Sequence, residues 1–78
     1  MFYTVLETQL INGTPALLTQ VFTGENAEAA SRSDFHTRSA AAAVSTIEYH
    51  SVMRLDSDGS VSLIEINDRR VNNVPVEE

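Results

Sequence analysis

Residues 2–23 read FYTVLETQLINGTPALLTQVFT, with Asn12-Gly13 between two runs of β-branched, aromatic and aliphatic residues. Runs of this composition favour β-strands. An Asn-Gly pair between them is a strong hairpin signal, because a type I′ turn needs a positive φ at both of its central residues. The stretch therefore predicts a β-hairpin with strands at 2–11 and 14–23.

The side chains of this hairpin divide between two faces, and both faces are apolar. One face carries Phe2, Leu6, Leu10, Leu17 and Val21, whereas the other carries Tyr3, Val5, Ile11, Leu18 and Phe22 together with Glu7, Gln9 and Gln20. Because the second face holds the charge and the amides, we expect the first face to pack inward. The second face is still too apolar to stay in water, which indicates self-association. The residues expected to make that contact are Tyr3, Val5, Leu18 and Phe22.

A helix is predicted to follow over residues 25–44, with Thr23 as its N-cap. One narrow stripe recurs at helical spacing, formed by Ala27, Ser31, Phe35, Ser39 and Ala42. Phe35 is the only large apolar side chain before Val44. The alanines at 40–43 either let the helix approach a sheet closely or simply reflect high helix propensity.

Residues 47–56 and 60–67 read as a second hairpin around the turn Asp56-Ser57-Asp58-Gly59. Two hairpins joined by one helix predict a two-layer α+β domain of ββαββ order, in which one helix packs across one face of a four-stranded antiparallel sheet. We expect this domain to cover residues 1–67. Residues 68–78 are expected to form an acidic, frayed C-terminal tail.

Composition narrows the classes of partner. The chain has 78 residues and a net charge of −6. It contains no cysteine, so no disulfide can stabilise the small core that a domain of this length forms. Oligomerisation is the expected source of additional stability. The acidic balance disfavours direct binding to nucleic acid. No apolar run approaches the length of a membrane span, and the start lacks the basic region of a signal peptide. We therefore expect a cytoplasmic protein with no membrane partner.

The sequence offers little catalytic or metal-binding chemistry. Asp56-x-Asp58-Gly59 resembles part of a calcium loop, but Val61 and Asn67 stand where that loop needs a glycine and a glutamate. The two histidines do not make a metal site, since two ligands are too few. His36 is expected to be partly buried on the helix and His50 to pack at a sheet surface. We expect no enzyme activity and no cofactor.

A set of short motifs resembles small uncharacterised open reading frames of gut Firmicutes and their prophages. The motifs are Tyr3-Thr4-Val5-Leu6-Glu7-x-Gln9, Asn12-Gly13-Thr14, Phe35-His36, the run AAAAVS at 40–45, and His50 on the following strand. The similarity covers residues 3–60. It departs at Arg38 and Ser39, where the related frames are aliphatic, and in the acidic tail. The resemblance implies a phage or mobile-element setting without implying an activity.

Three hypotheses of function remain open. The first is a non-enzymatic accessory protein that binds a host or phage protein, in the manner of inhibitors of host defence such as anti-CRISPR proteins, and that forms homo-oligomers. Its candidate contacts with a basic partner are Glu7, Glu48, Asp56, Asp58 and Glu65. The second is a structural or assembly component of a virion. The third is a small-molecule-binding module, with a pocket between helix and sheet or across a dimer seam.

Overall fold

The computed structural model describes residues 1–69, which form two hairpins joined by a helix. The strands are β1 (Phe2–Ile11), β2 (Thr14–Thr23), β3 (Tyr49–Asp56) and β4 (Val61–Asp68), and the helix is α1 (Ala27–Ala43). The predicted α+β fold, a four-stranded antiparallel sheet with one helix packed against it, is confirmed. Of the predicted tail, Asp68 is the last residue of β4, and residues 70–78 lie outside the described residues.

The sheet order is β2-β1-β3-β4, so β1 and β3 lie at its centre and β2 and β4 at its edges. The first hairpin closes as predicted, because Asn12 and Gly13 adopt positive φ values of 52° and 81°. The two hairpins meet through β1 and β3, which pair antiparallel with Val5 opposite Arg54.

The helix begins later than predicted. Thr23 is still part of β2, and the N-cap position belongs to Asn26, whose side chain makes no capping hydrogen bond. Gly24 turns the chain with a φ of 96°, and its carbonyl accepts a hydrogen bond from the backbone N–H of Ala27 at 3.2 Å. This glycine turn after β2 shifts the helix start from residue 25 to residue 27.

The core is small and lies between α1 and the centre of the sheet. It consists of Val5, Phe35, Ala42 and Val52, with Phe22 and Leu63 packed against it. The predicted helical stripe is largely confirmed, since Ala27, Ser31, Phe35 and Ala42 are the buried residues of α1. No helix in the described part of the chain, residues 1–69, is long and apolar enough to cross a membrane.

The prediction of which hairpin face is covered is wrong. Tyr3 and Val5 lie beneath the helix, with 9% and 1% of their surface exposed, and Phe22 packs against the same core. Leu18, on the same side of β2, stays 45% exposed at the sheet edge. The expected inward residues Leu17 and Val21 are instead on the uncovered side. Glu7 and Gln9 suggest a solvated face in the sequence, but in the fold they lie on the helix side, where Glu7 binds Arg38 and Gln9.

The core should be sensitive to the loss of methyl groups at its centre. We expect Val52→Ala to lower the free energy of unfolding by about 2 kcal/mol, because Val52 is fully buried and its truncation leaves a cavity. Val44→Ala is the matched control, since Val44 is 80% exposed and its loss should cost less than about 0.5 kcal/mol. Urea denaturation at one fixed protein concentration measures both; equal losses would contradict this description of the core.

Candidate functional site

The helix-covered side of the sheet carries a group of ionisable side chains that we call the polar seam: Glu7, Asp34, Arg38, His50 and Arg54. Glu7 lies at the middle of β1 and is 8% exposed. The Nη1 of Arg38 donates to Glu7 Oε1 at 2.8 Å, and its Nε donates to Asp34 Oδ2 at 2.7 Å. One arginine therefore ties the second half of α1 to the central strand.

His50 supplies a second partner for the same carboxylate. Its Nε2 hydrogen-bonds to Glu7 Oε2, and the amide of Gln9 donates to that oxygen at 3.2 Å. Burial by itself raises the pKa of Glu7, but the hydrogen bonds from His50, Arg38 and Gln9 together outweigh burial and hold this pKa below its usual value. The pKa of Arg38 is raised, chiefly by its bond to Asp34 and then by Glu7. Glu7 and Arg38 therefore stabilise each other in their charged forms.

Arg54 holds the first half of the helix. It is 4% exposed, its guanidinium lies 4.6 Å from the centre of the Tyr3 ring, and its Nε donates to Ser62 Oγ at 2.9 Å. Its Nη1 reaches Ser31 Oγ at 3.3 Å and Glu28 Oε2 at 3.2 Å. Since Ser31 is on the buried stripe of α1, this arginine sets where the helix lies along β3.

Four buried side-chain atoms have no hydrogen-bond partner among the described residues, and Asp56 Oδ1 is one of them. The others are His50 Nδ1, Ser39 Oγ and Asn67 Nδ2. His50 and Asn67 are cross-strand neighbours on β3 and β4. Within residues 1–69 there is no group of three or more His, Cys, Asp or Glu side chains placed to hold a metal ion.

The two histidines lie differently from their predictions. His36 is exposed on the outer side of α1, where its ring contacts Phe35 edge-on with 5.4 Å between ring centres. His50 is 6% exposed beneath the helix rather than at an open sheet surface. The signal that would have placed His50 is the strand alternation, since Val52 and Arg54 share its side of β3.

The structure does not bring the five candidate acids together. Glu7 is buried in the polar seam, and Glu65 is exposed on β4. Glu48 accepts a hydrogen bond from the N–H of Gly13 at 2.8 Å at one end of the sheet, whereas Asp56 and Asp58 lie at the other end. The eight residues of β3 separate those ends by roughly 26 Å at about 3.3 Å per residue.

Asp58 has a structural role in its turn. Its Oδ1 accepts a hydrogen bond from the backbone N–H of Ser60 at 2.9 Å, which lowers the pKa of Asp58. Gly59 follows it with a φ of 90°. Asp58 thus closes its own turn, whereas Glu48 joins the segment before β3 to the turn between β1 and β2.

The uncovered side of the sheet is the surface that the sequence reasoning missed. Strand alternation in the observed register places on it the apolar side chains that we call the open face: Phe2, Leu6, Leu10, Leu17, Val21, Met53, Leu55, Val61, Ile64 and Ile66. Leu17, Ile64 and Ile66 are 65%, 50% and 54% exposed. Of the charged residues in the four strands, Asp68 alone shares this side, at the last position of β4.

Comparison of the chain with protein-family models, with curated proteins and with solved structures finds no match. The similarity to small reading frames of gut Firmicutes and their prophages therefore stays a prediction.

Glu7 should make stability depend on pH in the acid range. Because its pKa is lowered in the folded state, its contribution is present above the unfolded pKa and is lost as the pH falls. We expect Glu7→Gln to lower the free energy of unfolding by about 1–3 kcal/mol at pH 7. The difference from the wild type should shrink as the pH is lowered from 7 through the ordinary glutamate pKa of about 4.3 and on through the lower pKa of Glu7.

Denaturation curves across this pH range measure the effect of Glu7. Glu65→Gln is the control, because Glu65 lies on the same side of the sheet but is exposed. It should change stability by less than about 0.5 kcal/mol at either end of the range. A Glu7→Gln protein with the full pH slope of the wild type would show that this carboxylate does not stabilise the fold.

The two arginines that contact Glu28 should differ in their contribution to the free energy of unfolding. Arg54 is buried, whereas Arg32 is about half exposed in an i,i+4 pair with Glu28 at 2.7 Å. We expect Arg54→Met to cost about 2–4 kcal/mol of unfolding free energy, because buried hydrogen-bonding groups lose their partner. Arg32→Met should cost less than about 0.5 kcal/mol. Thermal and urea unfolding compare them, and similar losses would contradict the role assigned to Arg54.

Proposed function

We propose that this chain is a non-enzymatic protein-binding module and that its contact surface is the open face. One observation carries the proposal: within residues 1–69, four of the five charged side chains of the strands lie on the helix side of the sheet, where Glu7 and Arg54 are buried, and the uncovered side is left to apolar side chains. An antiparallel sheet with one solvated face normally shows the opposite arrangement, with apolar residues inward and polar residues outward. A large exposed apolar surface of this kind marks a site of interaction.

The distribution of apolar side chains supports the same proposal. Among residues 1–69, six apolar side chains are buried, and two of these, Ala27 and Ala42, are alanines. Ten large apolar side chains are exposed in the described part of the chain. By register, six of the ten belong to the open face: Phe2, Leu17, Val21, Val61, Ile64 and Ile66. The domain thus directs more of its large apolar groups to the uncovered side of the sheet than to its own core.

The polar seam supports a structural rather than a catalytic role for its ionisable groups. The two oxygens of Glu7 are occupied by Arg38 and by His50 with Gln9. Arg38 is shared with Asp34, and Arg54 bonds to helix and sheet together. General acid–base chemistry needs such groups within reach of a substrate, whereas here they join α1 to the sheet.

We also propose a phage or mobile-element setting, supported by the resemblance carried by Tyr3–Gln9, Asn12–Thr14 and the 40–45 run. In that setting the protein would act on a host or phage protein as an accessory factor. The dispersal of the five candidate acids supports recognition by apolar contact rather than by an acidic imitation of nucleic acid.

Affinity capture with matched variants tests the proposal. A tagged chain expressed beside an untagged copy in the producing cell should retain protein partners, the untagged copy included. Leu17→Lys places a charge on the open face and should lose them, because an unpaired charge in an apolar contact is costly. Val44→Lys makes the same kind of change at an exposed position beyond the helix end and should keep them. Quantitative mass spectrometry compares the retained proteins; identical sets for the three baits would overturn the proposal.

A further inference from the structure

We infer that the occupant of the open face is a second copy of this chain, packed sheet against sheet with the two helices outside. The inference rests on the proposed function, because it names the partner of the same surface. It follows from three features of the described residues: the size of the core, the area of the open face, and the placement of charge.

The small core indicates that the partner on the open face must be present whenever the chain folds. Val5 and Val52 are the two large apolar side chains of the core with 1% exposure or less, beside Phe35 at 5%. A core this small gives little stability to a domain of this length. A partner that binds only transiently would leave the open face unoccupied, and the domain only marginally stable, most of the time. A second copy is present whenever the chain is, which couples folding to association as in obligate homodimers.

The area of the open face matches what a stable dimer needs. Four strands spaced by about 4.8 Å are roughly 19 Å wide, and eight residues at about 3.3 Å span roughly 26 Å. The product of width and length is roughly 500 Å² on each copy, or roughly 1,000 Å² for two copies. Side chains that protrude from the sheet add further surface to this flat area. A specific interface should exceed about 1,000 Å² in total and typically buries about 1,200–2,000 Å², a range that the protruding side chains bring within reach.

The charges of the chain favour this arrangement over other contacts between copies. The chain carries a net charge of −6, so two copies repel unless their acids are kept apart. In the strands, Glu7, Arg54, Asp56 and Glu65 all lie on the helix side. Asp68 is at the rim of the open face. Sheet-to-sheet packing therefore brings together uncharged surfaces and leaves the acids on the outside.

The geometry of such a dimer is specific enough to measure. Packed sheets lie about 10 Å apart, and a helix lies about 10 Å from the sheet that it covers. The two α1 axes should therefore be about 30 Å apart, with the outward-facing Ser33 of each copy farther apart still. A dimer formed through the helices would instead bring the two Ser33 positions within about 20 Å.

Sedimentation equilibrium of the purified full chain over a wide concentration range is the first test. The wild type should show twice the 8.6 kDa chain mass. Ile64→Lys should weaken the dimer by at least about 30-fold in Kd, because it places an unpaired charge in the interface. Val44→Lys should dimerise like the wild type, since Val44 lies outside the open face. A dimer that tolerates Ile64→Lys would overturn the inference.

A second measurement covers the case in which Ile64→Lys fails to fold. Ser33→Cys adds the only cysteine to a chain that has none, and a spin label there lies on the exposed side of α1. Electron–electron distances above about 30 Å between copies support sheet-to-sheet packing. Distances under about 20 Å, or none, overturn it. The wild type could instead be monomeric and still lose its captured partner proteins on Leu17→Lys substitution. That pair of results would overturn the second copy as the occupant of the open face and would leave the proposed function intact.

Discussion

A carboxylate beneath a helix needs donors within reach, and Glu7 finds Arg38 on α1 and His50 on β3. This contact determines which side of the sheet the helix covers. Because strand side chains alternate, burying Glu7 also buries Tyr3 and Val5 and turns Leu6 and its neighbours to the other side. The thin core and the apolar open face are both consequences of that choice.

Local chemistry was enough to predict the architecture. Asn12-Gly13 specified the first hairpin through its backbone, and the spacing of Phe35 and its neighbours specified the helix face. The choice of sheet face was beyond such reasoning, because Arg38 and Glu7 are 31 positions apart and meet only after the helix has docked. A glutamate on a strand indicates a solvated face unless its partner is known, so the sequence predicts the wrong inward face. Of the residues expected to mediate self-association, Tyr3 and Val5 lie buried beneath the helix.

The candidate acids show a related difficulty. Glu48 and Asp58 satisfy backbone N–H groups at opposite ends of the sheet, and Glu7 is engaged inside. Composition counts charges without locating them, so a net charge of −6 suggested an acidic surface that the fold disperses. The apolar residues of the open face were visible in the sequence as a complete face of the first hairpin, but their exposure depended on the helix taking the other side.

The two sides of the sheet play different parts, one in orienting the helix and the other in the stability of the fold. Charged hydrogen bonds are directional, so Arg54 and Glu7 place the helix along and across the strands with little apolar area beneath it. Apolar burial is non-directional and scales with area, and most of the available area lies on the open face. Orientation within one copy thus comes from the polar seam, and a partner on the open face, as proposed, would supply much of the free energy that keeps the sheet folded. In the proposed dimer, folding and association become one equilibrium. The core of one copy is then small because each copy is only half of the folded unit.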